Sequence, residues 1–297
     1  MNNYSIDLKR ILSQYGPHNE DYNHVIDIVN QLNSEEEIEN FRNLMDPVLT
    51  PETIIGHSFQ KPLGYSGDYQ IIEKIYQNYK NPRNEFVKWD EFFHCLPAAI
   101  AVNNRKQMAV RLLQELNQRA GGSPLKVLIL GSGPATEVKE YMDLCPQNSL
   151  YFDLVDFDQR AIDYAIRKNR NHLEFLTFHN KNVLRFNPDY CYDFIWSAGL
   201  FDYFQDRHFI RLLRRMFVAL NPGGQMIIGN FSTSNPSRKI MEILGDWYLH
   251  HRSEEQLRQF ALEAGVPQAD ISILCEPLGI NLFLKVVQKS NGQPDSL

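Results

Sequence analysis

The sequence is poor in cysteine and has no pairing pattern among the few it contains. Cys95, Cys145, Cys191 and Cys275 are widely spaced, with no CxxC pair and no histidine at metal-ligand spacing, so neither a disulfide framework nor a zinc site is expected. Positive charge is also short. With 30 Lys and Arg against 36 Asp and Glu, the formal net charge is -6, which argues against the basic face of a dedicated nucleic-acid binder. No apolar run approaches membrane-spanning length. The opening MNNYSIDLKRILSQYG interrupts its apolar positions with Asp7, Lys9 and Arg10, unlike the apolar segment of a secretion signal. Repeats and low-complexity tracts are absent. These absences leave a 297-residue chain long enough for one large domain and a substantial addition. It is expected in the cytoplasm as a monomer or homodimer, with a small-molecule or peptide partner and no membrane span, metal or nucleic acid.

Up to about residue 120, apolar residues recur at helical spacing, as in Ile6, Ile11 and Leu12, or Ile38, Phe41, Leu44 and Met45. Pro51, Pro62, Gly64, Gly67, Pro82 and Pro97 break this region into several helices and loops. From Pro124 the texture changes to short apolar runs between helical segments: LKVLIL, LYFDLVD, LEFLTFH, YDFIWSA and GQMIIGNF, then ISILCE and NLFLKVVQ. Alternation of this kind predicts an α/β fold, a doubly wound, mostly parallel seven-stranded sheet covered on both faces, with the last two strands as an antiparallel edge hairpin. The expected organisation is a helical N-terminal cap or substrate region over 1–120, the sheet domain over 121–289 and a disordered tail over 290–297.

The first strand runs into Gly131-Ser132-Gly133-Pro134-Ala135, at the carboxyl end where doubly wound sheets bind ligands. Gly131 permits the tight turn, and Gly133 lets a ligand approach the backbone. Asp156 ends the next strand, 25 residues after Gly131, where a carboxylate can accept hydrogen bonds from both ribose hydroxyls. Asp158 reads as the cap of the following helix. A dinucleotide is disfavoured: Thr136 replaces the last glycine of the fingerprint, Pro134 removes an amide donor, and Glu137 repels phosphate. The site therefore suits an adenosine without phosphates.

That combination resembles the class I S-adenosylmethionine-dependent methyltransferases over roughly residues 124 to 289, which implies a Rossmann-like fold and S-adenosylmethionine as cofactor. The resemblance implies that Gly131, Ser132, Gly133, Pro134 and Ala135 lie under the methionine moiety. It also implies that Asp156 binds the ribose, with Phe157 beside it, and that Asn182 and Val183 meet the adenine. Ser197, Ala198 and Gly199 continue the pattern after the fourth strand. Many members carry an acidic residue where this chain has Ile129, so the cofactor's amino group must find other acceptors here.

KPLGYSGDYQIIEKIY, residues 61 to 76, has two readings. In one, Asp68 caps a helix whose buried face is Tyr69, Ile72, Ile75 and Tyr76. In the other, Tyr65, Asp68 and Tyr69 face the cleft and close over the cofactor. The string resembles a smaller group, bacterial methyltransferases similar to those of 3-hydroxypalmitic acid methyl ester biosynthesis, as do PAAIAVNNRKQMAV with Arg105, MEILGDWYLHHRS and GINLFLKV. This implies a carboxyl O-methyltransferase acting on a fatty-acid-like acceptor, with Tyr65, Asp68 and Arg105 at the cofactor.

Methyl transfer is an in-line displacement at activated carbon, so the protein supplies alignment and dryness. A carboxylic acid with a pKa near ~4 needs no base, whereas an amine or phenol near ~10 does. Arg252 or Arg105 would hold an acceptor carboxylate, Trp247 and Tyr248 would wall the acceptor pocket with Tyr69, and Tyr203, with Tyr65, would orient the nucleophile. Two other roles remain open: an N- or O-methyltransferase of a small natural product or modified peptide, and a non-catalytic regulatory protein that keeps the cofactor site.

Overall fold

Runs rich in Val, Ile, Leu and Phe that are apolar on both sides suit the strands of a parallel sheet covered on both faces. The computed structural model, which describes residues 3–289, forms such strands: β1 (Leu125–Leu130), β2 (Leu150–Asp156), β3 (Leu176–Asn180), β4 (Tyr192–Ser197), β5 (Leu220–Phe231), β6 (Ile271–Cys275) and β7 (Asn281–Val287). They make one seven-stranded sheet in the order β3-β2-β1-β4-β5-β7-β6. The first five strands pair in parallel, and β7 pairs antiparallel with both β5 and β6. The doubly wound sheet with an antiparallel edge hairpin is thus the fold observed. The expected tail at 290–297 lies outside the described residues.

Twelve helices are described: α1 (Asn3–Ser13), α2 (Tyr22–Gln31), α3 (Glu35–Met45), α4 (Ile54–Gln60), α5 (Tyr69–Tyr76), α6 (Asn84–Cys95), α7 (Pro97–Ala120), α8 (Thr136–Leu144), α9 (Gln159–Lys168), α10 (Asp206–Val218), α11 (Arg238–Leu244) and α12 (Glu254–Glu263). None of them is long and apolar enough to cross a membrane.

The chain divides into two compact units. The sheet unit takes residues 104–234 and those from Leu249 onward. Its sheet has an apolar layer on each side. Leu128, Ile195, Ile228 and Leu284 pack with Leu212 and Met216 of α10 and Leu257 of α12. On the opposite face Ile129, Trp196, Ile227 and Phe283 pack with Ala109, Leu113 and Leu116 of α7.

The helical unit comprises the chain up to Asn103 together with Asn235–Tyr248, an excursion that follows β5. Its core joins Leu8, Val25, Phe41, Trp89 and Phe92 to Ile240, Ile243 and Leu244 of α11. Hydrogen bonds fasten the excursion: Arg42 Nε donates to the Ile243 carbonyl at 2.8 Å, and Ser58 Oγ donates to the Gly245 carbonyl at 2.8 Å. The sequence expectation set the division at residue 120 and kept 235–248 with the sheet. The compact units differ because α7 runs unbroken through the division at Asn103 and Asn104, and because α11 buries its apolar face among helices from early in the chain.

Candidate functional site

The glycine loop is built by strain and hydrogen bonding. Gly131 (φ +65°), Gly133 (φ +50°) and Ala135 (φ +49°) are all left-handed, which costs a residue with a Cβ about 1 kcal/mol or more. Every amide of the loop is spent. The Gly131 and Ser132 amides donate to the Val155 carbonyl at 2.8 and 3.1 Å, and the Ala135 amide to the Ser132 carbonyl at 3.0 Å. Gly133 N donates to Asp156 Oδ2 at 2.8 Å, and Pro134 has no amide hydrogen. A Cβ placed on Gly133 would meet nothing within 4 Å, so the loop has open space at that residue.

Asp156 is 7% exposed, and its Oδ1 accepts from the Asp158 amide at 3.0 Å. Burial raises its pKa, against the backbone hydrogen bonds that lower it. Asp158 caps α9, accepting from Arg160 N at 3.0 Å. Phe157, between them, is exposed. Beyond β3, Asn182 is exposed and its Oδ1 accepts from Leu184 N at 2.9 Å, while the Val183 side chain belongs to the apolar core. Any adenine contact at Val183 would therefore use its backbone.

At the end of β4, Ser197 is fully buried and its Oγ donates to the Leu130 carbonyl at 3.0 Å, tying β4 to β1. Gly199 answers a steric demand. A Cβ there would lie 2.7 Å from both Nη atoms of Arg105, so the guanidinium rests against bare backbone. Arg105 is 5% exposed, and its Nε is buried without a partner. Two buried carboxyls feel its charge. Burial raises the pKa of Glu137, at the start of α8, and that of Asp202 to about 6; Arg105 opposes both shifts. Asp202 accepts from the Phe231 amide at 2.6 Å. Ser132 Oγ is likewise buried and unpartnered.

The sheet unit thus gathers Arg105, Gly131 to Ala135, Asp156, Phe157, Asn182, Val183, Ser197, Ala198, Gly199 and the exposed Tyr203. Tyr65, Asp68, Tyr69, Trp247 and Tyr248 belong to the helical unit. Tyr65 and Tyr69 are half-buried, Trp247 is buried and Tyr248 exposed.

Two expectations need correction. Asp68 does not reach toward a cleft: it is 1% exposed, its Oδ1 accepts from the Gln70 and Ile71 amides at 2.9 and 3.0 Å, and His57 Nε2 meets Oδ2 at 2.9 Å. The capping reading describes it. Arg252 does not offer its charge to an acceptor either. It is 2% exposed, and all five donors are engaged, with the carbonyls of Phe201 and Phe204, Asn230 Oδ1 and twice with Asp206 Oδ1. The sequence shows Glu137 only as a phosphate-repelling charge and gives no sign of Asp202's burial. Their common partner, Arg105, is too distant in the chain for any local pattern to expose.

Residues 127–224 match the methyltransferase-domain family. A malonyl-[acyl-carrier protein] O-methyltransferase of Bacillus cereus is 28% identical over 130 residues, which span 43% of this chain and 46% of that protein. The chain therefore aligns with less than half the length of that curated relative. Among solved structures, a protein of Bordetella parapertussis described as a possible exported protein superposes with a TM-score of 0.66 at 18% identity, covering 97% of this chain and 98% of that one. Magnesium protoporphyrin IX methyltransferase of Synechocystis PCC 6803, with bound SAH, gives 0.50 at 12% identity over 64% of this chain and 85% of that one.

Proposed function

We propose that this chain, which carries a class I methyltransferase domain, transfers a methyl group from S-adenosylmethionine to a carboxylate oxygen of a fatty-acid-like or other small-molecule acceptor. One observation carries the cofactor reading. The loop from Gly131 to Ala135 has no amide left for a phosphate, yet the same unit supplies a carboxylate, a buried hydroxyl without a partner and a guanidinium whose buried Nε has none. A diphosphate would find no free amide in this loop and would face the carboxylate; a ribose joined to an amino-acid zwitterion fits.

S-adenosylmethionine supplies, when bound, a methyl group activated by positive sulfur. The remaining lone pairs of Asp156 accept from the ribose hydroxyls. Phe157 and the backbone at Asn182 and Val183 border the adenine. Arg105 takes the carboxylate of the amino-acid end, while Glu137 and Asp202 serve its ammonium group, the role that Ile129 leaves open. The protein then has to align an acceptor and exclude water. An ionised carboxylate needs no base, so Tyr203 orients it without deprotonating it. The Bacillus cereus relative, named for O-methylation of a malonyl group on a carrier protein, supports an acyl acceptor. Four free cysteines, three of them exposed, support a reducing cytoplasm.

The test is product identification by mass spectrometry after incubating the protein and methyl-labelled S-adenosylmethionine with free carboxylic acids. Labelled methyl esters, formed at a rate flat above about pH 7, are expected. Label on nitrogen or a phenol, with a rate still rising toward pH 9, would replace this reading with an N- or phenol-directed enzyme.

A further inference from the structure

Asn281, the first residue of β7, is fully buried, yet neither Nδ2 nor Oδ1 has a hydrogen-bond partner. Leaving both ends of a carboxamide unpaired inside a protein is costly, and such groups ordinarily find a partner or are replaced by apolar side chains. The surrounding chain holds the residue by its backbone instead. Asn281 N donates to Glu276 Oε1 at 3.3 Å, and the Asn281 carbonyl accepts from Glu276 N at 3.3 Å. Asn104 Nδ2 secures Glu276 Oε2 at 2.7 Å. The backbone is thus anchored while the side chain is left unused.

Its place in the sheet says what it faces. Asn281 pairs with Phe231 at the carboxyl end of β5. Strand alternation puts its side chain on the same face as Phe283, the face that packs against Ala109 and Leu113 of α7. Arg105 stands one helical turn before Ala109 and touches Gly199 at the carboxyl end of β4. Both residues therefore sit one step beyond the last apolar layer, at the same edge of the sheet. The cofactor residues proposed above lie at the tips of β2, β1 and β4. Asn281 lies two strands further along, roughly 10 Å from β4 at the usual strand spacing.

We infer that Asn281 determines acceptor specificity: its carboxamide receives a group on the acceptor that both donates and accepts a hydrogen bond, a hydroxyl or an amide, separate from the carboxylate that is methylated. This rests on the carboxylate reading above. A neutral donor and acceptor pair matches such a group, whereas a plain alkyl chain would leave both ends of the carboxamide unpaired. A dry site of this kind discriminates strongly against the analogue lacking the polar group.

The experiment compares hexadecanoate, 3-hydroxyhexadecanoate and N-tetradecanoylglycine as acceptors for the wild-type protein and for Asn281→Leu, with cofactor affinity measured separately by calorimetry. For the wild type, kcat/KM with the hydroxy acid or the acylglycine should exceed that with hexadecanoate by on the order of 100-fold. Which of the two is preferred identifies the group as hydroxyl or amide. In Asn281→Leu that ratio should fall to within about threefold, mainly through KM, with the cofactor Kd unchanged. Asn281→Ser, which keeps one hydroxyl, should retain an intermediate ratio and serves if the leucine variant does not fold. Equal use of all three acids by the wild type, or a ratio preserved in either variant, overturns the inference without touching the carboxylate reading. Methylation of none of the acids by a protein that binds the cofactor overturns both.

Discussion

The carboxylate of Asp156 accepts the amide hydrogen of Gly133 across 2.8 Å, so the residue proposed to hold the ribose also closes the loop proposed to pass beneath the cofactor. Removing it acts twice. Asp156→Ala takes away the charged acceptor for the ribose hydroxyls and frees a loop amide whose position the carboxylate sets. Hydrogen bonds to charged groups are worth about 1.5–3 kcal/mol each. Cofactor Kd by titration calorimetry should therefore rise at least about 10-fold. An unchanged Kd would detach Asp156 from the cofactor.

The two loop glycines should separate stability from binding. Both are left-handed, so alanine costs each about 1–2 kcal/mol. At Gly131 the added Cβ would press on the Leu200 side chain at 3.1 Å, a structural cost. At Gly133 it would enter open space, where the cofactor is proposed to lie. Gly133→Ala should weaken cofactor binding more than Gly131→Ala, while Gly131→Ala should lower the unfolding midpoint more. Equal Kd values for the pair would show that the open space at Gly133 is not the ligand's.

Asp68 caps α5 with two backbone amides and meets the buried ring of His57. Losing a cap costs about 1 kcal/mol, and stranding the His57 partner adds to it. Asp68→Ala should lower thermal stability by several degrees with the cofactor Kd unchanged. A Kd increase without loss of stability would restore the role at the cofactor that the sequence suggested.

Features held by local pattern were legible in the sequence. Val127 to Leu130 followed by Gly131 announced strand and turn, and the ending of LYFDLVD placed Asp156 at a strand tip, because strand alternation and turn chemistry act within a few residues. What escaped depends on partners far along the chain. Arg252 looked available until Phe201, Phe204, Asp206 and Asn230 took its donors, and α11 looked like part of the sheet domain until Ile240 and Leu244 met Val25 and Phe41. Periodicity has limits even nearby: Ile6 shares the apolar rhythm of α1 yet is 66% exposed, while Leu8 and Ile11 are buried.

Arg252 anchors the turn after β4 and should behave accordingly. Removing a buried cation that has five engaged donors typically costs about 3–5 kcal/mol, because the carbonyls and Asn230 lose their partner. Arg252→Ala should lower the urea midpoint of unfolding sharply. Any loss of activity should track the unfolded fraction rather than a higher KM for the acceptor. A normal midpoint with a raised acceptor KM would mark Arg252 as a binding residue after all.

Burial raises the pKa of Asp202 to about 6, and the charges of Arg105 and Arg252 offset this only in part. The unfolded value lies near 3.9. Because the folded state prefers the protonated carboxyl, this residue's stabilisation is complete below about pH 4 and is lost as pH rises through about 6; for a group buried so fully, the loss is on the order of 2–3 kcal/mol. An asparagine never ionises, and its Oδ1 can still accept the Phe231 amide. Asp202→Asn should therefore unfold at higher urea than the wild type at pH 8, and the two midpoints should converge toward pH 4.5. A gap of constant size across that range would mean that Asp202 does not titrate in this window.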